Sequence, residues 1–257
     1  MPKIINIIAP DGDNLIFLGQ SLNDTIVAGN GSQTLYGNAG DDLLVAGTGN
    51  QSLYGGSGND TLVAGNGDQI LDGGAGTDTL DFSCLTGKLV IDQDLYTAQI
   101  VDPVSGAVIF NDTVKSFNKI IGTNGGNDFH AQANTSNIFV GGTGADIYRS
   151  ESGGDTVTLG DGADTFGWFR KYVAVGHTDR ITDFQAGVDK LDLTDFLKGQ
   201  GIKNPAYSDV IHLADTIGQN GAHGTLVQGL VSGVWHDIAV LDGVDVTHVT
   251  VSDLARL

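Results

Sequence analysis

Several things are scarce in this chain. One cysteine, Cys84, stands among 257 residues, so no intrachain disulfide can staple the fold. Basic residues number 12 against 31 acidic ones, giving a formal charge of −19 and a pI near 4.2. That imbalance argues against nucleic acid and anionic membrane as partners, because like charges repel. No apolar run approaches the roughly 20 residues of a transmembrane helix. The start, MPKIINIIAPDGD, holds an apolar run of only about four residues, too short for a secretory h-region. These scarcities do not add up to disorder: 40% of the residues are hydrophobic and the mean hydropathy is +0.01, unlike chains that stay unfolded by composition. The length suits one elongated domain or two to three small ones. A compact state that crowds so many carboxylates therefore calls for cations.

Glycine is abundant, at 39 residues, without the every-third-residue spacing of collagen. From position 19 the chain reads in nines: GQSLNDTIV, AGNGSQTLY, GNAGDDLLV, AGTGNQSLY, GGSGNDTLV, AGNGDQILD, GGAGTDTLD. The eighth place holds Ile26, Leu35, Leu44, Leu53, Leu62, Leu71 and Leu80. The sixth place alternates Asp24, Gln33, Asp42, Gln51, Asp60, Gln69, Asp78, so the true unit is 18 residues. Such a period draws no helical stripe, and glycine recurs too densely for a helix. It predicts an all-β fold: a flattened right-handed parallel β-roll in which each nine residues make a turn and a short strand. One aliphatic side chain per strand then points inward, and glycine supplies the turn conformations.

Residues 1–81 are thus read as a first roll with an N-terminal cap. Residues 82–121 form a connector of strands and hairpins at Lys88–Ile91, Ala98–Val101 and Ala107–Phe110, with a turn at Pro103–Gly106. The period returns over residues 122–170 as a second, degenerate roll. Asp128, Asn137, Asp146, Asp155 and Asp164 lie nine apart, and Phe139, Tyr148, Val157 and Phe166 take the inward place. Residues 171–257 read as a β-rich capping domain. In it Ile181, Phe184, Val188, Leu191, Leu193 and Phe196 alternate with acids, and the domain would cover the open end of the second roll.

Calcium takes six to eight oxygens and tolerates uneven geometry. Glycine-rich turns offer carbonyls, the Asp that ends each turn offers a carboxylate, and turns one coil apart stack. One edge of the first roll carries Asp24, Asp42, Asp60 and Asp78, framing three sites. The other carries Gln33, Gln51 and Gln69, which are predicted to form an amide ladder without an ion. In the second roll Asp128, Asp146 and Asp164 frame two sites, while Asp155 opposite Asn137, with Glu151 nearby, makes a poorer one. Asp179, Asp183, Asp189, Asp192 and Asp195 could hold another ion or be polar strand positions. Several Ca2+ ions are the expected cofactors. Five would move the formal charge from −19 to about −9 and couple binding to folding.

The units GGSGNDTLV, GGAGTDTLD and GGTGADIYR resemble the RTX (repeats-in-toxin) nonapeptide G-G-x-G-x-D-x-U-x. That resemblance implies a parallel β-roll with calcium in its turns. Asp179–Phe196 looks like the stretch after the last repeats of secreted bacterial metalloproteases. Residues 225–257 look like a C-terminal target of type I secretion, implying that machinery as a partner and a secreted or cell-surface location. KSFNKIIGTNGGNDF resembles the re-entry segment before such repeats. AGNGSQTLY, AGTGNQSLY and AGNGDQILD depart from the pattern by lacking the calcium Asp, and GQSLNDTIV lacks two glycines.

A catalytic constellation is missing from the sequence. There is no H-E-x-x-H, G-x-S-x-G or P-loop, and His130, His177, His212, His223, His236 and His248 are scattered singly. Cys84 reads as a buried, inert thiol. Tyr36 and Tyr54 share one outward row, which suits strand propensity or a platform for a polysaccharide or another copy. The reading is a calcium-folded binding, surface or structural protein. The alternative is the secretion and stabilising region of a secreted enzyme, or a hydrolase or epimerase with an unrecognised site.

Overall fold

A computed structural model describes residues 6–168, 177–199, 210–218, 221–250 and 253–255. The backbone divides into two compact units, residues 1–125 and 126–257. The connector, residues 82–121, folds within the first unit, and the boundary expected at 170/171 lies outside the described residues.

In the first unit the nine-residue period deals strands alternately to two sheets. One sheet runs β1 (Asn6–Ile8), β3 (Thr25–Val27), β5 (Leu43–Val45), β7 (Thr61–Val63), β9 (Thr79–Asp81) and β13 (Lys119–Ile121). The other runs β2 (Ile16–Leu18), β4 (Thr34–Ala39), β6 (Ser52–Ser57) and β8 (Ile70–Ala75), then β12 (Val108–Lys115), β11 (Thr97–Val101) and β10 (Lys88–Asp92). Pairing between coils is parallel and in register, with Ile26 beside Leu44, Leu44 beside Leu62, Leu35 beside Leu53 and Leu53 beside Leu71. These residues, with Leu80, are fully buried, each stabilising the coil by roughly 1.5–3 kcal/mol through burial. Their strand neighbours face outward because successive side chains alternate.

The connector forms the predicted strands: β10 and β11 pair antiparallel, as do β11 and β12. The turn at 103–106 is closed by Asp102 N–H on the Ala107 carbonyl and Gly106 N–H on the Asp102 carbonyl, both at 2.9 Å. The far end of β12 then returns to the roll and pairs parallel with β8.

The second unit repeats the plan with larger side chains. One sheet holds β14 (Asn127–His130), β16 (Ile147–Ser150), β18 (Thr165–Trp168), β20 (Lys190–Asp192) and β24 (Leu254–Ala255). The other holds β15 (Ile138–Val140), β17 (Thr156–Thr158), β19 (Asp179–Ile181), β23 (Val234–Asp242), β22 (His223–Val231) and β21 (Ile211–Ile217). Phe139, Tyr148, Val157 and Phe166 are buried as expected. The three aromatic rings form a file in which Phe139–Tyr148 and Tyr148–Phe166 centroids lie 4.8 and 4.9 Å apart. The antiparallel β21–β23 meander extends one sheet beside β19, and β24 extends the other beside β20. The closing segment thus pairs with the last strand of each sheet of this roll.

Three expectations are corrected here. Val188 does not join the inward row: it is 42% exposed, in a turn where its N–H reaches the Gln185 carbonyl at 3.0 Å. Thr194–Gly199 is a short helix, α1, preceded by a turn in which the Asp192 carboxylate accepts the Thr194 N–H two residues on at 2.8 Å. Cys84 is exposed rather than buried. Its thiol donates to the Ala64 carbonyl at 3.1 Å, and partial desolvation with Asp81 nearby raises its pKa.

Candidate metal sites

Asp24, Asp42, Asp60 and Asp78 stack on one edge of the first unit and are at most 3% exposed. Each is wired to the next coil through the backbone. Asp42 Oδ1 accepts the Asp24 N–H at 2.7 Å, Asp60 Oδ1 the Asp42 N–H at 2.8 Å, and Asp78 Oδ1 the Asp60 N–H at 2.8 Å. One carboxylate oxygen is thus consumed by the fold. The second oxygen, Oδ2, of Asp42, Asp60 and Asp78 is buried with no hydrogen-bond partner among the described residues.

What faces that oxygen is another acceptor. A Cβ built on Gly37 would collide with Asp42 Oδ2 and lie 2.5 Å from the Gly55 carbonyl oxygen. One on Gly55 would collide with Asp60 Oδ2 and lie 2.5 Å from the Gly73 carbonyl oxygen. Glycine is required at these positions because any side chain would fill the space into which both oxygens look. Burying acceptors against acceptors is unfavourable unless a cation or proton intervenes. Desolvation, with Asp42 and Asp78 nearby, pushes the Asp60 carboxyl up to about 6. Asp42 and Asp78 are raised too, first by desolvation. Hard oxygens of carboxylate and carbonyl are the donor set that calcium prefers, so these residues fit calcium. Asp24 differs: its Oδ2 accepts the Gln20 N–H at 2.6 Å.

The opposite edge solves the same problem with donors. Gln33 Nε2 donates to the carbonyls of Pro10, Gly12 and Asn30 at 3.0, 3.0 and 2.9 Å. Gln51 Nε2 does the same with Gly31, Thr48 and Gly29 at 2.7, 3.0 and 3.4 Å. The expected amide ladder exists at one step, where Gln69 Nε2 meets Gln51 Oε1 at 3.3 Å. Elsewhere the glutamines bind turn carbonyls, placing an amide nitrogen among the oxygens that a cation would otherwise gather. The row ends on Asp112, which accepts the Gln69 N–H at 2.8 Å and is 1% exposed. Desolvation, with Asp68 nearby, pushes the Asp112 carboxyl up to about 7.

In the second unit Asp146 and Asp164 stack as predicted, with Asp164 Oδ1 accepting the Asp146 N–H at 2.7 Å. Asp128 does not join them. β14 pairs with β16 so that Asp128 lies beside Ile147, one residue out of phase, and its carboxylate pairs with Arg149. Asn127 takes its place, donating N–H and Nδ2 to Asp146 Oδ1 at 2.6 and 2.8 Å. At the other end Asp189 continues the row by accepting the Asp164 N–H at 3.0 Å. Asp164 Oδ2 is buried without a hydrogen-bond partner among the described residues. Desolvation and the charges of Asp146, Asp189 and Asp183 push its carboxyl up to about 6. Asp146 Oδ2 faces the Leu159 carbonyl across Gly141, while also accepting the Gly142 N–H at 3.0 Å.

Asp155 is buried on the opposite edge, but both its oxygens are engaged by donors. Oδ1 accepts Asn137 N–H and Nδ2 at 2.8 and 3.1 Å, and Oδ2 accepts Ser150 Oγ at 3.1 Å. Asp179 follows it, accepting the Asp155 N–H and Trp168 Nε1 at 2.8 and 2.9 Å. Asp183 is bound to the Leu159 and Gly160 N–H groups at 2.7 and 2.8 Å. Asp112, the place of Asp189 in the Asp146–Asp164 row and the glutamine wiring to turn carbonyls were not legible in the sequence, because they depend on which turn stacks on which. The in-phase spacing of Asp146 and Asp164 needed only counting.

The RTX calcium-binding nonapeptide repeat family matches residues 18–50, 45–80 and 134–166. A search of curated proteins found no match. Among solved structures, the chain is similar to the AlgE6R3 subunit of the Azotobacter vinelandii mannuronan C5-epimerase, at 16% identity and a TM-score of 0.25. That match covers 95% of this chain and 80% of the other. It is also similar to the extracellular lipase LipA of Serratia marcescens, at 14% identity and a TM-score of 0.26. There 91% of this chain is covered, and it spans 44% of the lipase. The stacked coils and the inward row agree with the family match, which falls on residues 18–80 of the first parallel β-roll unit and residues 134–166 of the second.

Proposed function

We propose that this is a secreted protein that folds on meeting external calcium, and that its folded rolls serve a surface-associated or structural role. The observation that carries the reading is the set of buried Oδ2 atoms of Asp42, Asp60, Asp78 and Asp164, which lack hydrogen-bond donors among the described residues. A chain of charge −19 in a calcium-poor interior keeps these carboxylates apart, and millimolar calcium outside draws the coils together. Type I secretion machinery is the partner that suits an unfolded, acidic chain.

On this reading the cations sit along the Asp42–Asp60–Asp78 edge and at Asp164, while Asp24 and Asp146 each already accept a backbone N–H on Oδ2. Asp128 and Asp155 are left out, because a guanidinium and a set of hydrogen-bond donors already satisfy them. Within the site, glycine leaves room, the Asp–N–H ladder spaces the coils, and the free carboxylate oxygens supply charge. The outward tyrosines speak less for a sugar platform than for packing. Tyr36 and Tyr54 stack on each other at 5.0 Å and 12°, so each covers a face of the other.

The test is calcium titration of the chelator-treated chain, followed by circular dichroism and calorimetry. The expected result is a cooperative gain of β structure with several ions bound. Equal β structure in excess chelator and in millimolar calcium, with no metal retained, would sink the reading.

A further inference from the structure

The acidic edge of the first unit ends on a turn outside the repeat. After β9 the chain leaves for the β10–β12 excursion and re-enters with Thr113–Lys115 beside Ile70–Asp72. It continues with β13 beside β9, Lys119 next to Thr79. Between these strands Ser116, Phe117 and Asn118 span what Gly73 to Asp78 span one coil earlier. Ser116 sits at φ 59, in the left-handed region that few non-glycine residues enter, and its carbonyl oxygen lies against Gly73.

The geometry of the preceding coils is reproduced there. A Cβ on Gly73 would collide with the Ser116 carbonyl oxygen and lie 2.7 Å from Asp78 Oδ2. Relative to Asp78, the Ser116 carbonyl thus stands where the Gly73 carbonyl stands relative to Asp60. Asn118 Oδ1 accepts the Asp78 N–H at 3.0 Å, as Asp78 Oδ1 accepts that of Asp60. Asp78 is 1% exposed, and its Oδ2 has no partner among the described residues. At the other end of the row, a backbone N–H already occupies Asp24 Oδ2.

We propose that Asp78 and the Ser116 carbonyl form a junction site for calcium that clips the hairpin excursion onto the roll. The cation row of this edge accordingly runs from Asp42 to the junction rather than starting at Asp24. The inference rests on the reading that this edge binds calcium. The returning turn is three residues shorter than a repeat turn and ends on neutral Asn118. It offers fewer carbonyls and less charge, so the junction fills after the repeat sites.

Hydrogen exchange read by mass spectrometry across a calcium titration of the full chain tests this. In the unaltered chain, exchange over residues 113–121 slows at the last binding step, after residues 43–63. Asp78→Asn removes that slowing and one bound ion while residues 43–63 still respond, and Asp24→Asn leaves the ion count unchanged. Asn118→Asp, which adds a carboxylate, moves the last step to roughly ten-fold lower calcium. Slowing over 113–121 that survives Asp78→Asn overturns the junction site, as does loss of an ion in Asp24→Asn but not in Asp78→Asn. If Asp78→Asn does not fold, the unaltered chain decides: residues 113–121 indifferent to calcium while 43–63 respond overturn it. A chain that binds no calcium anywhere overturns the underlying reading as well.

Discussion

The two edges of the first roll are built from the same nine-residue turn, yet they reach opposite electrostatic solutions. Where the sixth residue is Asp42, Asp60 or Asp78, a buried carboxylate oxygen faces turn carbonyls with no donor among the described residues. Where it is Gln, an amide nitrogen reaches into the carbonyl cluster and hydrogen-bonds it. On the proposed reading one edge is completed by calcium from solution and the other by the chain itself. That leaves a hydrogen-bonded edge along one side of the roll and a calcium-dependent seam along the other. The difference is one methylene and the exchange of a carboxylate for an amide.

The comparison breaks most visibly on removing calcium. An ion at a hundred times its Kd contributes about 2.7 kcal/mol, and a domain is stable by only about 5–15 kcal/mol. Emptying the Asp42, Asp60 and Asp78 sites should therefore unfold most of the first unit. Thermal melts in millimolar calcium and in chelator measure this, and coincident melts would refute the seam.

Next in size is Gln51→Glu, which puts an acceptor among three carbonyls. It should cost about 3–5 kcal/mol in denaturant unfolding, with added calcium recovering part of the loss. Gln51→Ala should cost about 1–3 kcal/mol and leave calcium stoichiometry by calorimetry unchanged. Asp60→Asn, in contrast, should weaken two adjacent sites together. Equal calcium loss in the alanine and asparagine variants would erase the distinction between the edges.

A pH-dependent effect of comparable size belongs to Asp112, the acid that ends the glutamine row. Its folded pKa of about 7 lies above the ordinary carboxylate value, so the folded state holds a proton that the unfolded state releases. Its stabilising contribution is complete below the unfolded pKa and is lost as pH rises through about 7, at about 1.4 kcal/mol per pKa unit. Asp112→Asn keeps an acceptor for the Gln69 N–H. It should raise stability at pH 8 and flatten the fall between about pH 4 and 7, as read from denaturant midpoints across pH. Smallest is Tyr36→Ala, which removes a stacked ring and should cost about 0.5–1.5 kcal/mol with no change in calcium binding.

Most of the first roll was legible because its period is short and the interactions that matter recur in phase. Asp24, Asp42, Asp60 and Asp78 share an edge for the same reason that Ile26, Leu44 and Leu62 share a core. Legibility failed where phase was interrupted. Asn127 and Asp128 are adjacent and chemically alike, and only the 19-residue step from β14 to β16 shows that Asn127 stacks while Asp128 meets Arg149. Asp155 carries the repeat's Asp, but Ser150 and Asn137 reach its oxygens first.

Sequence alone determined the architecture of this protein: two parallel sheets, one inward aliphatic or aromatic residue per strand, one acidic and one amide edge in the first roll. A strict period leaves the chain a single way to bury that row, so counting sufficed. The tertiary structure decided what completes each edge. Ser116, Asn118, Asp112 and Asp189 arrive from outside the repeat, across excursions whose length carries no phase. Whether an oxygen is left for calcium depends on which donors those excursions bring within about 3 Å, and spacing along the chain holds no record of that.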